Sequence, residues 1–151
     1  MGPPGHFAMA LAAKPAAPKL PLWMLLVASE ILDLLCFAFL AVGIERVAPD
    51  PMLAWSHGLF MSIVWSAIAG ATGWLLYRDR RTGIILGLVV LSHWLLDFIA
   101  HSPDLPLLFK GSPLVGLGLE SSILIGIIVE FGMLAAGAGI YFGARKMKTK
   151  V

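Results

Sequence analysis

Four long apolar segments constrain the fold of this chain more than any other feature. A helix needs about 20 apolar residues to cross the hydrocarbon core of a bilayer, and four stretches come close to that length or exceed it. They run over residues 22–44, 52–77, 83–100 and 117–142, and the segments joining them are short. The sequence therefore predicts an all-α polytopic membrane protein. We expect one domain, residues 1–151, with four transmembrane helices in a compact bundle.

The composition supports this class and excludes several others. Hydrophobic residues make up 59% of the 151 residues and charged residues only 13%, with a mean hydropathy of +0.89. A soluble domain carries about a quarter charged residues, so a water-soluble enzyme, a nucleic-acid-binding protein and a disordered linker are excluded. The single cysteine, Cys36, excludes a disulfide scaffold and a thiolate metal cluster.

The distribution of basic residues predicts how the chain is oriented. Of the eleven Lys and Arg residues, nine precede the first span, lie between the second and third spans, or follow the fourth. Only Arg46 and Lys110 lie in the other two connections. Because basic residues accumulate on the cytoplasmic side, we expect an inner-membrane protein with both termini in the cytoplasm.

A short apolar stretch, residues 6–13, precedes the first span and is followed by Lys14 and a proline-rich link. A signal peptide would carry its basic residues before the apolar core, and this stretch is too short to span a bilayer. Its backbone polar groups must still be satisfied internally at membrane depth. We therefore expect a short N-terminal helix that is either interfacial or re-entrant.

Acidic residues lie where a bilayer makes them costly. Five of the nine lie in the predicted spans or at their edges: Glu30, Asp33, Asp97, Glu120 and Glu130. No Lys or Arg lies within the spans to pair with them. Ionisable residues inside a membrane usually face the bundle interior and mark a functional site. Each carboxylate can either take up a proton or bind a cation.

The histidines favour the cation. His93 and Asp97 are four residues apart, which places them on one helical face about 6 Å apart along the axis. His57 lies near the start of the second span, and a re-entrant N-terminal helix would lift His6 to the depth of Asp33. Neutral imidazole and carboxylate together suit zinc, manganese or iron. These groups can converge in the outer half of the bilayer, although a His93–Asp97 hydrogen bond that fastens two helices is an alternative.

Several short blocks, in order, carry a resemblance to a known family. They are Gly5-His6, the segment Ser29–Asp33, Trp55-Ser-His-Gly58, the Ser-His-x-x-x-Asp pattern of Ser92–Asp97, and His101-Ser-Pro-Asp104. This order resembles the bacterial membrane-bound metal-dependent hydrolases, which are small inner-membrane proteins. It is also similar to the ligand order of the zinc-dependent phospholipase C and nuclease group.

The resemblance implies a divalent metal, with zinc first and manganese or iron as alternatives. It implies that a metal-activated water attacks a phosphoester and that the metal ligands are His6, Asp33, His57, His93 and Asp97. We expect Glu30 and Glu130 to move protons as catalytic carboxylates. We expect His101 and Asp104 to contact substrate or orient a ligand. The substrate would be amphiphilic or lipid-linked, because the site lies at headgroup depth.

Two other classes of function remain open at this point. The same acids and histidines suit a metal or proton transporter, and a small non-enzymatic accessory or structural subunit is the third possibility. Small residues support helix packing in membranes. We expect this role for Gly83 and Gly87, and for Gly132, Gly139 and Gly143, and such faces would also permit a homo-oligomer.

Overall fold

A computed structural model describes residues 1–46, 53–109 and 111–148. The helices are α1 (Pro3–Ala13), α2 (Leu22–Ser29), α3 (Ile31–Ala41), α4 (Leu59–Tyr77), α5 (Arg80–Ala100) and α6 (Ile123–Lys148), with 3-10 turns at Lys14–Ala16 and Leu119–Ser121. Two short strands, β1 (Leu105–Pro106) and β2 (Leu114–Val115), form an antiparallel hairpin with Leu105 opposite Val115. The predicted helical class is confirmed. The predicted start of the second span at residue 52, and Lys110 and Lys150, lie outside the described residues.

Within the described residues, three helices are long and apolar enough to cross a membrane: α4, α5 and α6. Helices α2 and α3 reach that length only together, and they are bent by 54° at the break between them. The first predicted span is therefore not one continuous helix, because the chain breaks at Glu30 (φ −109°, ψ 4°). The break is compatible with a buried position because the Ser29 carbonyl oxygen accepts a hydrogen bond from His93 Nδ1.

The other predicted boundaries shift in a way that matters for the site. Helix α4 begins at Leu59, so His57 lies in the turn before the helix and not inside the span as predicted. Gly58 caps this helix in an extended conformation. Helix α6 begins at Ile123, later than the predicted residue 117, because residues 114–121 form strand β2 and a 3-10 turn.

Helices α4 and α5 pack closely through glycine. A Cβ atom at Gly83 would lie 2.5 Å from the carbonyl oxygen of Gly70, and one at Gly87 would lie 2.8 Å from that of Ser66. Both distances are far below van der Waals contact, so only glycine permits this approach. The predicted packing role of Gly83 and Gly87 is confirmed.

The turn between these helices is stabilised by its own polar groups. Arg78 adopts a left-handed conformation (φ 52°), and Asp79 caps α5 by accepting a hydrogen bond from the Thr82 backbone N–H at 3.3 Å. The hydrogen bond from the Thr82 hydroxyl holds the pKa of Asp79 below its usual range. Lys19 lies 3.6 Å from the Asp79 carboxylate, which ties the proline-rich link to this turn.

Helix α1 packs against α6, α2 and α5 and does not lie on the surface. His6, Ala8 and Ala10 are buried on it. A Cβ atom at Gly137 of α6 would lie 2.4 Å from the Ala8 carbonyl oxygen, so α1 and α6 touch backbone to backbone. A short N-terminal helix was predicted, and the structure adds that its polar residue points inward.

The predicted packing role of the other α6 glycines is not met within this chain. Atoms added at Gly132, Gly139 and Gly143 would have no neighbour within 4 Å in the part of the chain that the structure describes. The physical reason is that α6 contacts the remaining helices mainly through α1, on the Gly137 side. These glycines lie away from that contact.

The two ends of the molecule differ in charge. Lys19 lies beside Asp79, and Lys14 and Arg145 line one cavity, so the N-terminal link, the α4–α5 turn and the end of α6 meet. Helix α5 has 21 residues and is therefore about 31 Å long. His101 follows its far end. Apart from Arg46, the described basic residues gather at the end of the molecule opposite His101.

We expect Gly83→Ala to lower the free energy of unfolding by about 1–3 kcal/mol, the usual cost of overpacking, because the new methyl group would overlap the Gly70 carbonyl oxygen. Gly139→Ala makes the same chemical change in open space and should be neutral. Unfolding in mixed detergent micelles, followed by circular dichroism, compares the two variants. Equal stability of the two variants would show that the α4–α5 contact is looser than described.

Candidate metal centre

Four of the predicted ligands meet in one place. His93 and Asp97 share a face of α5, with His93 Nε2 3.1 Å from Asp97 Oδ2. His57 places its Nε2 3.1 Å from Asp33 Oδ1 and 3.7 Å from Asp97 Oδ2. The fourth side of this arrangement, His93 Nε2 to Asp33 Oδ1, measures 3.6 Å. Imidazole nitrogens and carboxylate oxygens thus alternate around a small gap, and we call these four residues the His/Asp cluster.

The His/Asp cluster is buried on one side and open on the other. His93, Asp97 and His57 are buried, whereas the Asp33 side chain is 35% exposed. Asp33 lies in the first turn of α3, where the positive end of the helix dipole favours a carboxylate. A small molecule would therefore reach the cluster from the side of α3.

The break at Glu30 fixes the orientation of the His93 ring. Carbonyl groups in the last turn of a helix lack partners within the helix, and Ser29 ends α2. Its oxygen accepts a hydrogen bond from His93 Nδ1 at 2.7 Å. Because a carbonyl can only accept, Nδ1 carries a proton, and the lone pair of a neutral His93 ring lies on Nε2. That nitrogen is buried and makes no hydrogen bond among the described residues, although Asp97 Oδ2 lies 3.1 Å and Asp33 Oδ1 3.6 Å from it.

The turn that carries His57 is fixed by contacts from two sides. Trp94 Nε1 on α5 donates a hydrogen bond to the His57 carbonyl oxygen at 2.8 Å. A Cβ atom at Gly58 would lie 2.4 Å from the Ala54 carbonyl oxygen, so the turn closes only with glycine there. Ser56 Oγ lies 2.8 Å from His57 Nδ1. These contacts hold Nε2 of His57 toward the cluster.

These four distances resemble the ligand spacing of a zinc site, and Asp33, His57 and His93 form a group whose ligand atoms could hold a metal. Zinc lies about 2.0–2.1 Å from imidazole nitrogen and 2.0–2.2 Å from carboxylate oxygen, which separates two tetrahedral ligand atoms by about 3.3–3.5 Å. The four nitrogen–oxygen distances, 3.1 to 3.7 Å, lie around that range. The unpartnered His93 Nε2 supplies a lone pair. The donor set, two imidazoles and two carboxylates, is one that zinc accepts.

His6 joins this group from α1. Its ring stacks on His93 with centroids 3.8 Å apart and planes 7° from parallel. Its Nε2 lies 3.4 Å from Asp97 Oδ1 and 3.3 Å from the Met1 carbonyl oxygen. His6, His93 and Asp97 form a second group whose ligand atoms could hold a metal, beside the group of Asp33, His57 and His93. The expectation that the N-terminal helix brings His6 to the depth of Asp33 is consistent with this contact.

His101 and Asp104 form the rim of the site. His101 Nε2 lies 3.7 Å from Asp97 Oδ1, and its Nδ1 lies 3.5 Å from Asp104 Oδ1. His101 is half-exposed and Asp104 exposed. The amino group of Met1 lies 2.8 Å from the same Asp97 oxygen. The two predicted substrate-contacting residues therefore lie between the His/Asp cluster and the outside.

The two predicted catalytic glutamates occupy different places. Glu30 lies beside Asp33 and His93, whose charges act on it, and its Oε1 is buried without a hydrogen-bond partner within the described ranges. Glu130 on α6 instead accepts a hydrogen bond from the Gly2 backbone N–H. The structure thus brings Glu30 to the cluster and places Glu130 at the start of α1.

Sequence reasoning missed the residues that support the ligands. Glu45 follows the first predicted span, residues 22–44, and no role is predicted for it, yet it is only 2% exposed and contacts the turn before His57. A single acid after an apolar run looks like a solvated residue, and no spacing rule links it to a turn ten residues later. Ser56 could have been found, because a hydroxyl next to a candidate ligand histidine is a common hydrogen-bond partner.

We expect Trp94→Phe to reduce the free energy of unfolding by about 1–3 kcal/mol, because the buried His57 carbonyl would lose its hydrogen bond while an aromatic ring remains. Trp23→Phe makes the same change at a 63% exposed position and should have little effect. Detergent unfolding curves measure both. If Trp23→Phe lost as much stability as Trp94→Phe, the loss could not be attributed to the hydrogen bond between Trp94 and the His57 carbonyl.

Comparison of this chain with models of known families, with curated proteins and with solved structures finds no match. The resemblance to the membrane-bound metal-dependent hydrolases therefore stays a prediction.

Proposed function

We propose that this protein is a membrane-embedded metal-dependent hydrolase. It would bind one divalent cation, zinc in the first instance, between Asp33, His57, His93 and Asp97, with His6 packed against the same group. Its substrate would be an amphiphilic phosphoester. The observation that carries the proposal is the alternation of two imidazoles and two carboxylates around the unpartnered His93 Nε2.

Charge balance supports a cation at the cluster. Burying a carboxylate is costly unless it is paired or coordinates a metal, and Asp97 is buried while Asp33 is about two-thirds covered. Among the described residues no Lys or Arg forms a salt bridge with either carboxylate. The Met1 amino group pairs with Asp97 Oδ1 at 2.8 Å, whereas the contacts of the Asp33 carboxylate are with imidazoles. A divalent cation would balance the remaining negative charge, and two neutral imidazoles would complete its coordination.

The surface and charge distribution support a membrane location. Large apolar side chains are exposed along the long helices, among them Phe60, Leu75, Leu88, Ile128 and Phe142. A soluble monomer rarely exposes so much contiguous apolar surface, whereas lipid would cover it. With the basic end in the cytoplasm, the C-terminal end of α6 would be cytoplasmic in a bacterial inner membrane. The expectation that both termini are cytoplasmic does not fit this arrangement, because the Met1 amino group lies 2.8 Å from Asp97 Oδ1, at the other end. The His/Asp cluster would lie in the outer half.

The residues around the cluster suggest how hydrolysis would proceed. A divalent cation held by these residues would lower the pKa of a coordinated water and polarise a phosphoryl oxygen. Glu30 would take the proton from the attacking water, because it lies beside Asp33 and its Oε1 has no hydrogen-bond partner among the described residues. We assign this role to Glu30 and not to Glu130, whose carboxylate is bonded to Gly2. His101 and Asp104 would orient the substrate at the rim.

The opening of the site favours an amphiphilic substrate. Asp33 is the exposed member of the cluster, and the next turn of α3 presents the exposed apolar side chains Leu34 and Phe37. A phosphate headgroup at Asp33 would therefore have its acyl chain along an apolar helix face. This arrangement suits a lipid better than a small polar phosphoester.

The core below the cluster argues against transport. A transporter needs a path to both sides of the membrane, yet α5 continues from His93 with Val90, Val89 and Leu86, all buried. They pack in one apolar core with Leu25 and Leu32. Within the described ranges no ionisable side chain is buried in this core. We therefore favour a site that is open on one side.

The protein should copurify with zinc, or bind it after chelation and reloading. Zinc at about 100 times its dissociation constant stabilises a folded state by about 2.7 kcal/mol, which raises the melting temperature by about 5–10 °C in a chain of this size. His93→Ala and Asp97→Ala should lose both zinc and the shift, whereas Asp104→Asn should keep them. Elemental mass spectrometry and thermal melts measure this. Unchanged melting of the wild type with zinc would end the metal proposal.

Zinc-loaded protein in mixed micelles should release product from a phospholipid or a generic phosphoester. Glu30→Gln should lower the rate about 100-fold or more, as expected for the loss of a general base, while zinc binding is kept. Phosphate or alcohol release is the readout. Cation flux into liposomes without any hydrolysis would instead assign the site to transport.

A further inference from the structure

Glu45 makes an unusual set of contacts for an acid at the end of an apolar segment. One carboxylate oxygen, Oε1, accepts hydrogen bonds from the backbone N–H groups of Trp55 and Ser56, at 2.9 and 2.8 Å. The other, Oε2, accepts the Ser56 hydroxyl at 2.8 Å. The side chain is almost fully buried, and no salt bridge joins it to a base in the part of the chain that is described.

The direction of these bonds determines the tautomer of His57. Ser56 has one hydroxyl proton, which it donates to Glu45 Oε2. Its oxygen also lies 2.8 Å from His57 Nδ1, so in that contact Ser56 Oγ must accept and Nδ1 must donate. A neutral His57 ring then carries its lone pair on Nε2, the nitrogen that faces Asp33 and Asp97.

We propose that Glu45 is a positioning residue for metal binding, acting through Ser56 to hold His57 in the tautomer that can ligate a cation. This rests on the proposed metal site, in which His57 is a ligand. Metal-binding histidines usually donate their second ring nitrogen to a carboxylate, a carbonyl or water, and loss of such a partner typically costs 10–100-fold in affinity. Here a serine hydroxyl lies between the imidazole and the carboxylate.

Glu45→Gln tests the proposal because it reverses the direction of the chain of hydrogen bonds without changing its shape. Two backbone N–H groups require an acceptor, so the amide oxygen must take the place of Oε1 and the amide N–H₂ that of Oε2. The amide then donates to Ser56, and Ser56 donates to His57 Nδ1. The His57 proton moves to Nε2, where it points at Asp33 Oδ1, 3.1 Å away. The metal-free fold is kept while the lone pair is lost.

The tautomer can be measured without metal. In zinc-free protein in nanodiscs, labelled with ¹⁵N-histidine, the ring nitrogens of His57 are assigned by their loss in His57→Ala. We expect protonated Nδ1 in the wild type and protonated Nε2 in Glu45→Gln. The same tautomer in both proteins would overturn the proposal. This readout does not depend on zinc binding, so it fails separately from the proposed function.

Zinc affinity supplies the second readout. By chelator competition, Glu45→Gln and Ser56→Ala should each bind zinc 10–100-fold more weakly than the wild type. Ser66→Ala should bind normally, because the buried Ser66 hydroxyl bonds only to the Ser62 carbonyl. Adding Glu45→Gln to Ser56→Ala should cause no further loss, since the connection is already broken. Full additivity of the two substitutions would overturn the proposal.

If Glu45→Gln does not fold, Ser56→Ala tests the proposal through the same measurement of the His57 tautomer. Its His57 should lose the preference for protonated Nδ1, and an unchanged tautomer would overturn the proposal. If the wild type binds no zinc while its tautomer follows Glu45, the metal function fails and the positioning of His57 stands.

Discussion

The hydrogen bond between His93 and the Ser29 carbonyl connects the break in the first apolar segment to the site. A helix that stops inside a membrane leaves carbonyl groups without partners, and those groups need a donor from elsewhere in the protein. His93 supplies one at 2.7 Å. The same bond directs the other ring nitrogen toward Asp33 and Asp97. A single contact thus gives the Ser29 carbonyl a hydrogen-bond donor and orients the His93 ring.

Contacts from other elements hold His57 beside His93. Trp94 lies on α5, one residue after His93, and bonds to the turn that carries His57, so α5 positions both imidazoles. The hairpin adds a further constraint, because the Leu107 carbonyl oxygen accepts the backbone N–H of Phe60 at 3.1 Å. Glycine at position 58 lets these backbones approach. The precision of the site therefore comes from α5 and from contacts made around the start of α4.

The sequence was sufficient to predict the helical class and the short N-terminal helix, and it indicated that Asp33, His57, His93 and Asp97 can converge. Helical spacing relates His93 to Asp97 directly, and membrane burial of acids without bases points to convergence. The break at Glu30 was not predictable, since its compensating donor is more than sixty positions away. Glu45 was missed for the same reason: its partners are brought together only by the tertiary fold. Composition predicts the exposed apolar surface well, but it carries little information about backbone partners.

The contact between α1 and α6 joins residues that lie nearly the full length of the chain apart, with Ala8 against Gly137. During synthesis α1 emerges first and α6 last, and segments fold in order as they leave the ribosome. Until α6 is made, α1 lacks its main packing partner. The contacts of His6 with His93 and Asp97 on α5 do not involve α6. The last helix therefore fastens α1, and with it His6, against a site whose other members lie on elements that are made earlier.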